Sequence, residues 1–438
     1  MSKFIIQGGV PLKGAVRLGG AKNAGFKLMI ASLLAQSESR LLNLAYISDV
    51  EITLWTLKQL GVNVQRCGER TVYIQPNGIK TYQVPQLAGQ KMRGSALYAA
   101  VLLSRMKKAV IPLPGGCVLG SRPIDRHLSA LRSLGARVKI KGSSVYLEAD
   151  KLRGSKFIFS KKSHTATEAM ILAAVKARGR TIIENSAQEP EIDDLIVYLN
   201  KMGAKIKRVK PEKIIIDGVE RLSGAIHQVM PDRNEAVSYA VAALATKGDI
   251  VVENAVKKDL LPFLDKLKAI GAGLEVFDFG IRFFYQQELK AIDIQTQPAP
   301  GFMTDWQPLW TLLMTQAKGV SRVIERVHNN RFQFAQQLKK MGAEIDFYNP
   351  VVKEQERYYE FDHYREEGVF HAARIKGPVQ LRGGKLEVTD LRAGATLTIA
   401  ALVAQGQSTI VNLEHIDRGY EKLDEKLKQL GAKIKRLG

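Results

Sequence analysis

Hydrophobic and polar positions along this chain follow two periods, and one arrangement of them recurs six times. An amphipathic stretch of helical period ends in an apolar residue and a glycine, usually followed by Ala or Val and then by strand-like alternation. The glycines are Gly61 (Lys-Gln-Leu-Gly-Val), Gly135 (Arg-Ser-Leu-Gly-Ala), Gly203 (Asn-Lys-Met-Gly-Ala), Gly271 (Lys-Ala-Ile-Gly-Ala), Gly342 (Lys-Lys-Met-Gly-Ala) and Gly431 (Lys-Gln-Leu-Gly-Ala). Each stands where a helix needs a residue of positive φ to end. Upstream of each lies a second helix rich in small apolar residues: Asn23–Gln36, Gly94–Ser104, Thr167–Gly179, Asn234–Gly248, Asp305–Gly319 and Ala393–Gly406. Strands follow these helices, among them Arg180–Asn185 and Asp249–Asn254.

The repeat length, about 70 to 90 residues, is too long for a solenoid unit and suits a small subdomain with its own sheet. Helices that are apolar nearly all round, such as the run from Ala236, belong inside a layer of sheet. The expected fold is therefore α/β: a two-lobed inside-out α/β barrel of six helix-strand-helix-strand-strand units, three per lobe. Residues 22–230 are expected to form lobe one, with a lid loop around Cys117. Residues 1–21 plus 231–438 form lobe two, and the cleft between the lobes is the expected ligand site. The charged and aromatic segment near 352–377 reads as an inserted surface loop.

Composition narrows the chemistry. The two cysteines, Cys67 and Cys117, lack metal-ligand spacing, and the seven histidines include no His-x-x-x-His pair, so neither a disulfide framework nor a metal site is expected. The formal charge of +22 favours anionic partners. Much of it alternates with apolar residues, as in Arg137–Lys141, Lys205–Arg208 and Lys433–Arg436, which describes solvated strand faces rather than a nucleic-acid groove. The apolar start Phe4-Ile5-Ile6 is shorter than the roughly 7–15 residues of a signal peptide. Tyr98–Leu103 and Tyr239–Ala245 fall short of the ~20 residues that span a bilayer. A cytoplasmic protein with no membrane insertion is expected, as a monomer or weak homo-oligomer.

Four places carry unusual loop chemistry. In Leu18-Gly-Gly-Ala-Lys-Asn-Ala24, paired glycines lead into a buried helix, and Lys22 and Asn23 beside its N-terminus suit a phosphate or carboxylate. Residues 113–127 (Leu-Pro-Gly-Gly-Cys-Val-Leu-Gly-Ser-Arg-Pro-Ile-Asp-Arg-His) combine mobile glycines with a thiol near cations, so Cys117 can act as acid or nucleophile. Pro300-Gly-Phe-Met-Thr-Asp-Trp306 puts Asp305 at a helix start, where it is either a cap or a base. Arg331, Arg392 and Arg418 stand at matching places in later repeats, and arginine forks grip carboxylate and phosphate.

Taken in order, Gly-Gly-Ala-Lys-Asn, Pro-Gly-Gly-Cys, Arg-Pro-Ile-Asp, Gln-Glu-Pro-Glu-Ile (188–192), Met-Pro-Asp-Arg (230–233), Thr-Asp-Leu-Arg and His-Ile-Asp-Arg-Gly-Tyr-Glu run the length of the chain. In them the sequence resembles the UDP-N-acetylglucosamine 1-carboxyvinyltransferases, enolpyruvyl transferases related to 5-enolpyruvylshikimate-3-phosphate synthase. The resemblance implies cofactor-free transfer of the enolpyruvyl group of phosphoenolpyruvate to the 3′-hydroxyl of UDP-N-acetylglucosamine, with phosphate released. This would be the first committed step of peptidoglycan precursor synthesis, which underlies cell wall biogenesis, cell shape and cell division. It implies Cys117 as proton donor and Asp305 as base. Lys22, Arg122, Arg392 and Arg418 would hold the phosphoenolpyruvate anion, supported by Arg93 and Arg331, with Asn23 near both substrates. The uridine end maps to Arg122, Pro123, Ile124 and Asp125 and to Lys161, Ser163, His164 and Thr165. There Lys-Lys-Ser-His-Thr stands where the family usually has a Lys-Val-Ser-Val-Gly type of sequence, and Asn329 replaces a family glutamate. The altered segment leaves open a different anionic acceptor, and the charge leaves open a nucleic-acid-binding protein on a retired transferase scaffold.

Overall fold

Each of the six recurring glycines terminates a helix in the left-handed region. Their φ angles are 91° at Gly61, 98° at Gly135, 102° at Gly203, 84° at Gly271, 99° at Gly342 and 93° at Gly431. The helices they end are Ser48–Gln59, Asp125–Ser133, Pro190–Lys201, Leu261–Ala269, Ala335–Lys340 and Leu423–Gln429, and a strand begins two residues after each glycine. The computed structural model describes residues 2–91, 94–113, 124–361 and 368–438.

Among the described residues the strands form six sheets, five of four strands in one shared order and one of three strands. In the sheet of Lys205–Lys210, Lys213–Asp217, Arg180–Glu184 and Lys156–Ile158, the first three strands run antiparallel and the fourth joins in parallel. Its register sets Arg180 opposite Asp217 and Ile182 opposite Ile215. The N-terminal strand Lys3–Gln7 pairs antiparallel with Lys433–Leu437, so the two ends of the chain complete a single sheet. Outward strand positions carry the basic residues: Lys205, Lys207 and Lys210 are exposed while Ile206 is buried between them.

The chain divides into two compact units. A terminal unit takes the residues up to Gly19 and those from Pro231 onward, and a central unit takes the described residues between Gly20 and Met230. Each has three sheets and its own hydrophobic core. In the terminal unit, helices Arg233–Ala245, Gln307–Met314 and Leu391–Val403 pack against one another. All thirteen residues of the first and all eight of the second are buried, which accounts for apolar residues on every face. Among the described residues no helix is long and apolar enough to cross a membrane.

Two expectations change. Residues Ala372–Gly377 belong to a core sheet, paired with Gly319–Ile324 on one side and Glu344–Tyr348 on the other, so the insertion ends before 372. Ala373 and Ile375 are buried while Arg374 and Lys376 are exposed, an alternation hidden by the charged run before it. The third buried helix is His164–Ala174 rather than Thr167–Gly179, which puts His164 and Thr165 in its first turn.

A Cβ built on Gly203 meets nothing within 4 Å, so substitution there costs only the left-handed backbone. Gly203→Ala is expected to destabilise the protein by about 1–2 kcal/mol and Gly203→Asn by less, because asparagine tolerates this region. Urea denaturation of the two variants checks the order.

Candidate functional site

Three buried helices of the terminal unit start near an aspartate, and the three aspartates behave differently. Asp232 caps Arg233–Ala245, its Oδ1 accepting from the backbone N–H of Asn234 at 2.8 Å and of Glu235 at 3.1 Å. Asp390 caps Leu391–Val403 in the same way, accepting from Arg392 at 2.9 Å and Ala393 at 3.2 Å. Asp305 lies in the turn before Gln307–Met314, whose N-cap position is taken by Trp306 with no side-chain capping bond. Its carboxylate turns instead to two arginines: Arg331 Nη2 donates to Oδ1 at 3.0 Å and Arg392 Nη2 reaches Oδ2 at 3.5 Å. The arginine side chains are 4% and 5% exposed and Asp305 is 25% exposed. A cap would satisfy one helix end, whereas here the carboxylate neutralises two cations held out of water.

The surroundings fix this arrangement. Arg392 Nη1 donates to Tyr420 Oη at 3.3 Å, Tyr420 Oη lies 2.7 Å from Ser238 Oγ, and Ser238 donates to the carbonyl of Asn234 at 3.0 Å. Arginine cannot accept and the serine hydrogen is committed, so the tyrosine hydroxyl donates to Ser238. Burial disfavours the charge on Arg392, but Asp305, Tyr420 and Asp232 outweigh it and hold its pKa above the ordinary arginine value. Glu325 joins the two segments that carry the pair. Its carboxylate accepts from Thr296 at 2.8 Å and from the backbone of Val327 and His328 at 2.8 and 2.9 Å, while Thr304, next to Asp305, donates at 3.0 Å. Burial raises the pKa of Glu325, and Arg331 and these bonds work against that rise.

In the central unit, Lys22 opens helix Lys22–Ala31 and Asn23 follows it, both partly buried. Lys22 Nζ lies 3.0 Å from Asp49 Oδ2 and 5.8 Å from the centre of the Phe26 ring. The glycine before this turn is obligatory, since a Cβ on Gly20 would stand 1.8 Å from the carbonyl oxygen of Asn43. Ile124 is buried ahead of helix Asp125–Ser133, whose first residue Asp125 is exposed. That helix touches the start of His164–Ala174, because His127 Nε2 lies 2.8 Å from Thr165 Oγ1. Two of the segments expected to act together are thus joined by one hydrogen bond. Ser163 stands at the N-cap of His164–Ala174, and Lys161 is partly buried just before it. Arg418 follows the short helix Glu414–Asp417 in the terminal unit. Arg93, Cys117, Arg122 and Pro123 lie outside the described residues.

Sequence reasoning passed over several partners. Tyr420 sits inside the quoted His-Ile-Asp-Arg-Gly-Tyr motif, yet only its arginine was singled out. Asp49 could have been suspected as the acidic residue in the first turn of the next helix. Lys27 and Glu168 interrupt apolar helices, where a buried charge demands a counter-charge. Among the described residues no group of His, Cys, Asp and Glu has the makings of a metal site.

Burial, aided by Arg126, lowers the pKa of His127 from 6.5 to about 4. The unfolded chain therefore takes up this proton first, and the stability it contributes is complete above 6.5 and is lost as pH falls toward about 4. Between pH 7 and pH 5 the wild type should lose on the order of 1–2 kcal/mol more than His127→Gln. Urea midpoints at the two pH values test this.

The family model described as EPSP synthase (3-phosphoshikimate 1-carboxyvinyltransferase) matches residues 6–427. The chain is 41% identical over 437 residues to the UDP-N-acetylglucosamine 1-carboxyvinyltransferase of Halothermothrix orenii, with 100% of both chains covered. It is 40% identical over 437 residues to UDP-N-acetylglucosamine 1-carboxyvinyltransferase 3 of Caldanaerobacter subterraneus subsp. tengcongensis, again with 100% of both covered. Among solved structures, the enolpyruvyl transferase NikO from Streptomyces tendae superposes with a TM-score of 0.85 at 24% identity, covering 100% of this chain and 99% of that one. EPSP synthase from Acinetobacter baumannii superposes with a TM-score of 0.74 at 20% identity, covering 100% of each. These two structures share the fold, and the identity to the curated relatives goes further: the chain belongs to the EPSP synthase family of enolpyruvyl transferases, among the UDP-N-acetylglucosamine 1-carboxyvinyltransferases.

Proposed function

We propose that this chain transfers the enolpyruvyl group of phosphoenolpyruvate to the 3′-hydroxyl of UDP-N-acetylglucosamine and releases inorganic phosphate, opening peptidoglycan precursor synthesis in the cytoplasm. Full-length kinship with enzymes of that name supports the substrates. The observation that carries the chemistry is the Asp305 carboxylate, turned from its helix end toward two buried arginines.

The reaction needs a proton removed from the acceptor hydroxyl as its oxygen attacks carbon 2 of phosphoenolpyruvate, and a proton delivered to carbon 3. Asp305 takes the first and Cys117 gives the second. The tetrahedral adduct then breaks its carbon 2–oxygen bond to phosphate and loses a proton from carbon 3, which restores the double bond. The adduct keeps the phosphate and carboxylate charges, and cations already fixed in place stabilise them without reorganising. Arg392 and Arg331 have that character, each held by its bond to Asp305. Lys22, Arg93, Arg122 and Arg418 complete the proposed anion-binding set. Asn23, Ile124, Asp125, Lys161, Ser163, His164 and Thr165, with Pro123, serve the acceptor.

Phosphate release should require phosphoenolpyruvate and UDP-N-acetylglucosamine together. Silence with that pair, alongside release with another hydroxylated acceptor, would overturn the assignment of the acceptor. Asp305→Asn cannot take a proton and should lower kcat by about 10²–10⁴-fold. A change confined to KM would remove Asp305 from the role of base.

A further inference from the structure

Beside His164 the central unit holds a buried ion pair that the chemistry above does not use. Lys27 lies within helix Lys22–Ala31 at 2% exposure, and Glu168 within helix His164–Ala174 at 0%. Lys27 Nζ donates to Glu168 Oε1 at 2.7 Å and stands 2.9 Å from His164 Nε2, which is itself 3.1 Å from the same Oε1. The His164 side chain is 20% exposed, and among the described residues its polar contacts are made through Nε2.

The donor inventory of these three groups bears on where the imidazole carries its hydrogen. A lysine ammonium has hydrogens to give and no lone pair to offer. Nε2 has two neighbours, this donor at 2.9 Å and the acceptor Glu168 Oε1 at 3.1 Å; a neutral ring that accepts from the nearer one, Lys27, carries its hydrogen on Nδ1. If the ring takes a second proton, that proton lands on Nε2 and is donated to Glu168, while Nδ1 keeps its own. In both states Nδ1 bears hydrogen. The charged groups acting on His164 are Glu168, one turn along its own helix, Lys27 from the facing helix, and Glu189 from the segment ahead of Pro190–Lys201. Burial opposes the imidazolium, Glu168 and Glu189 favour it, Lys27 opposes it, and the balance is an elevated pKa. The nearby His127 stays neutral down to about 4, so of these two rings it is His164 that gains charge first as pH falls.

We propose that the Lys27–Glu168 pair is a tautomer lock that makes His164 a fixed Nδ1–H donor to a carbonyl or phosphate oxygen of the acceptor substrate. The ligand half of this proposal rests on the function proposed above; the lock itself does not. Lys27 and Glu168 are positioning residues acting through His164. Two further features fit a prepared site: Glu168 Oε2 is buried with no hydrogen-bond partner among the described residues, and Thr165, next in the chain, is already held by His127.

Nitrogen NMR of the full-length protein labelled with ¹⁵N-histidine tests the lock, with the His164 signals assigned from His164→Gln. At alkaline pH, Nδ1 should be protonated and Nε2 bare; an Nε2–H tautomer there overturns the proposal. Lys27→Met should switch the ring to Nε2–H donating to Glu168. Should that variant not fold with its stranded carboxylate, Lys27→Met/Glu168→Leu should release the ring from the Nδ1–H form; a ring still held there also counts against the lock. Unlocking should raise KM for UDP-N-acetylglucosamine about tenfold, the scale of one hydrogen bond, with KM for phosphoenolpyruvate within about twofold. Equal changes in both, or a change in kcat alone, would refute the acceptor role. Calorimetry of the unlocked variant with uridine and with UDP identifies the oxygen: weaker binding of both marks a carbonyl, weaker binding of UDP alone marks a phosphate, and no change on either refutes the contact. A silent two-substrate assay beside an intact lock faults the proposed reaction, whereas a normal assay beside an Nε2–H ring faults the lock.

Discussion

One aspartate shared by two buried guanidiniums organises the terminal unit. Arg331 and Arg392 are almost wholly removed from water, and a cation in that position is tolerable only beside a fixed counter-charge. Much of the local structure serves that requirement. The Asp390 cap fixes the turn from which Arg392 projects, Tyr420 and Ser238 occupy its other side, and Glu325 ties the segment before Arg331 to the segment before Asp305. The result is a set of charges fixed by the protein's own bonds, the condition that the proposed stabilisation of an anionic intermediate requires.

The repeat was legible because it rests on a backbone requirement that only a few residues meet. Six helices end in a left-handed conformation, and six glycines in a common phrase reveal them. The buried helices were legible from small apolar residues on every face, although their ends were not: polar residues such as His164 and Thr165 open one helix ahead of its apolar run. The strand Ala372–Gly377 was obscured by the charged segment before it, since its alternation is short and its pairing partners lie far away in sequence.

Side-chain partnerships were less legible than backbone. An aspartate ahead of a buried helix supports either a cap or a bond to distant cations, and only the fold separates Asp305 from Asp232 and Asp390. Lys27 and Glu168 were detectable in principle as charges inside apolar helices, but that they meet each other and His164 depends on how two segments some 140 residues apart pack. The high formal charge has a plainer basis. Much of it sits on outward strand positions such as Lys205, Lys207, Arg137 and Lys139, while the arginines tied to Asp305 are few and buried.

The central claim is that fixed cations and one carboxylate promote breaking of the carbon–oxygen bond of phosphoenolpyruvate. The measurement closest to it uses phosphoenolpyruvate labelled with ¹⁸O at the bridging position between carbon 2 and phosphorus, incubated with the protein and UDP-N-acetylglucosamine. Enolpyruvyl transfer sends the label out with inorganic phosphate, as read by mass spectrometry, and leaves the product's ether oxygen unlabelled. Label retained on the three-carbon fragment would mean that the phosphorus–oxygen bond had broken instead, and would contradict the account.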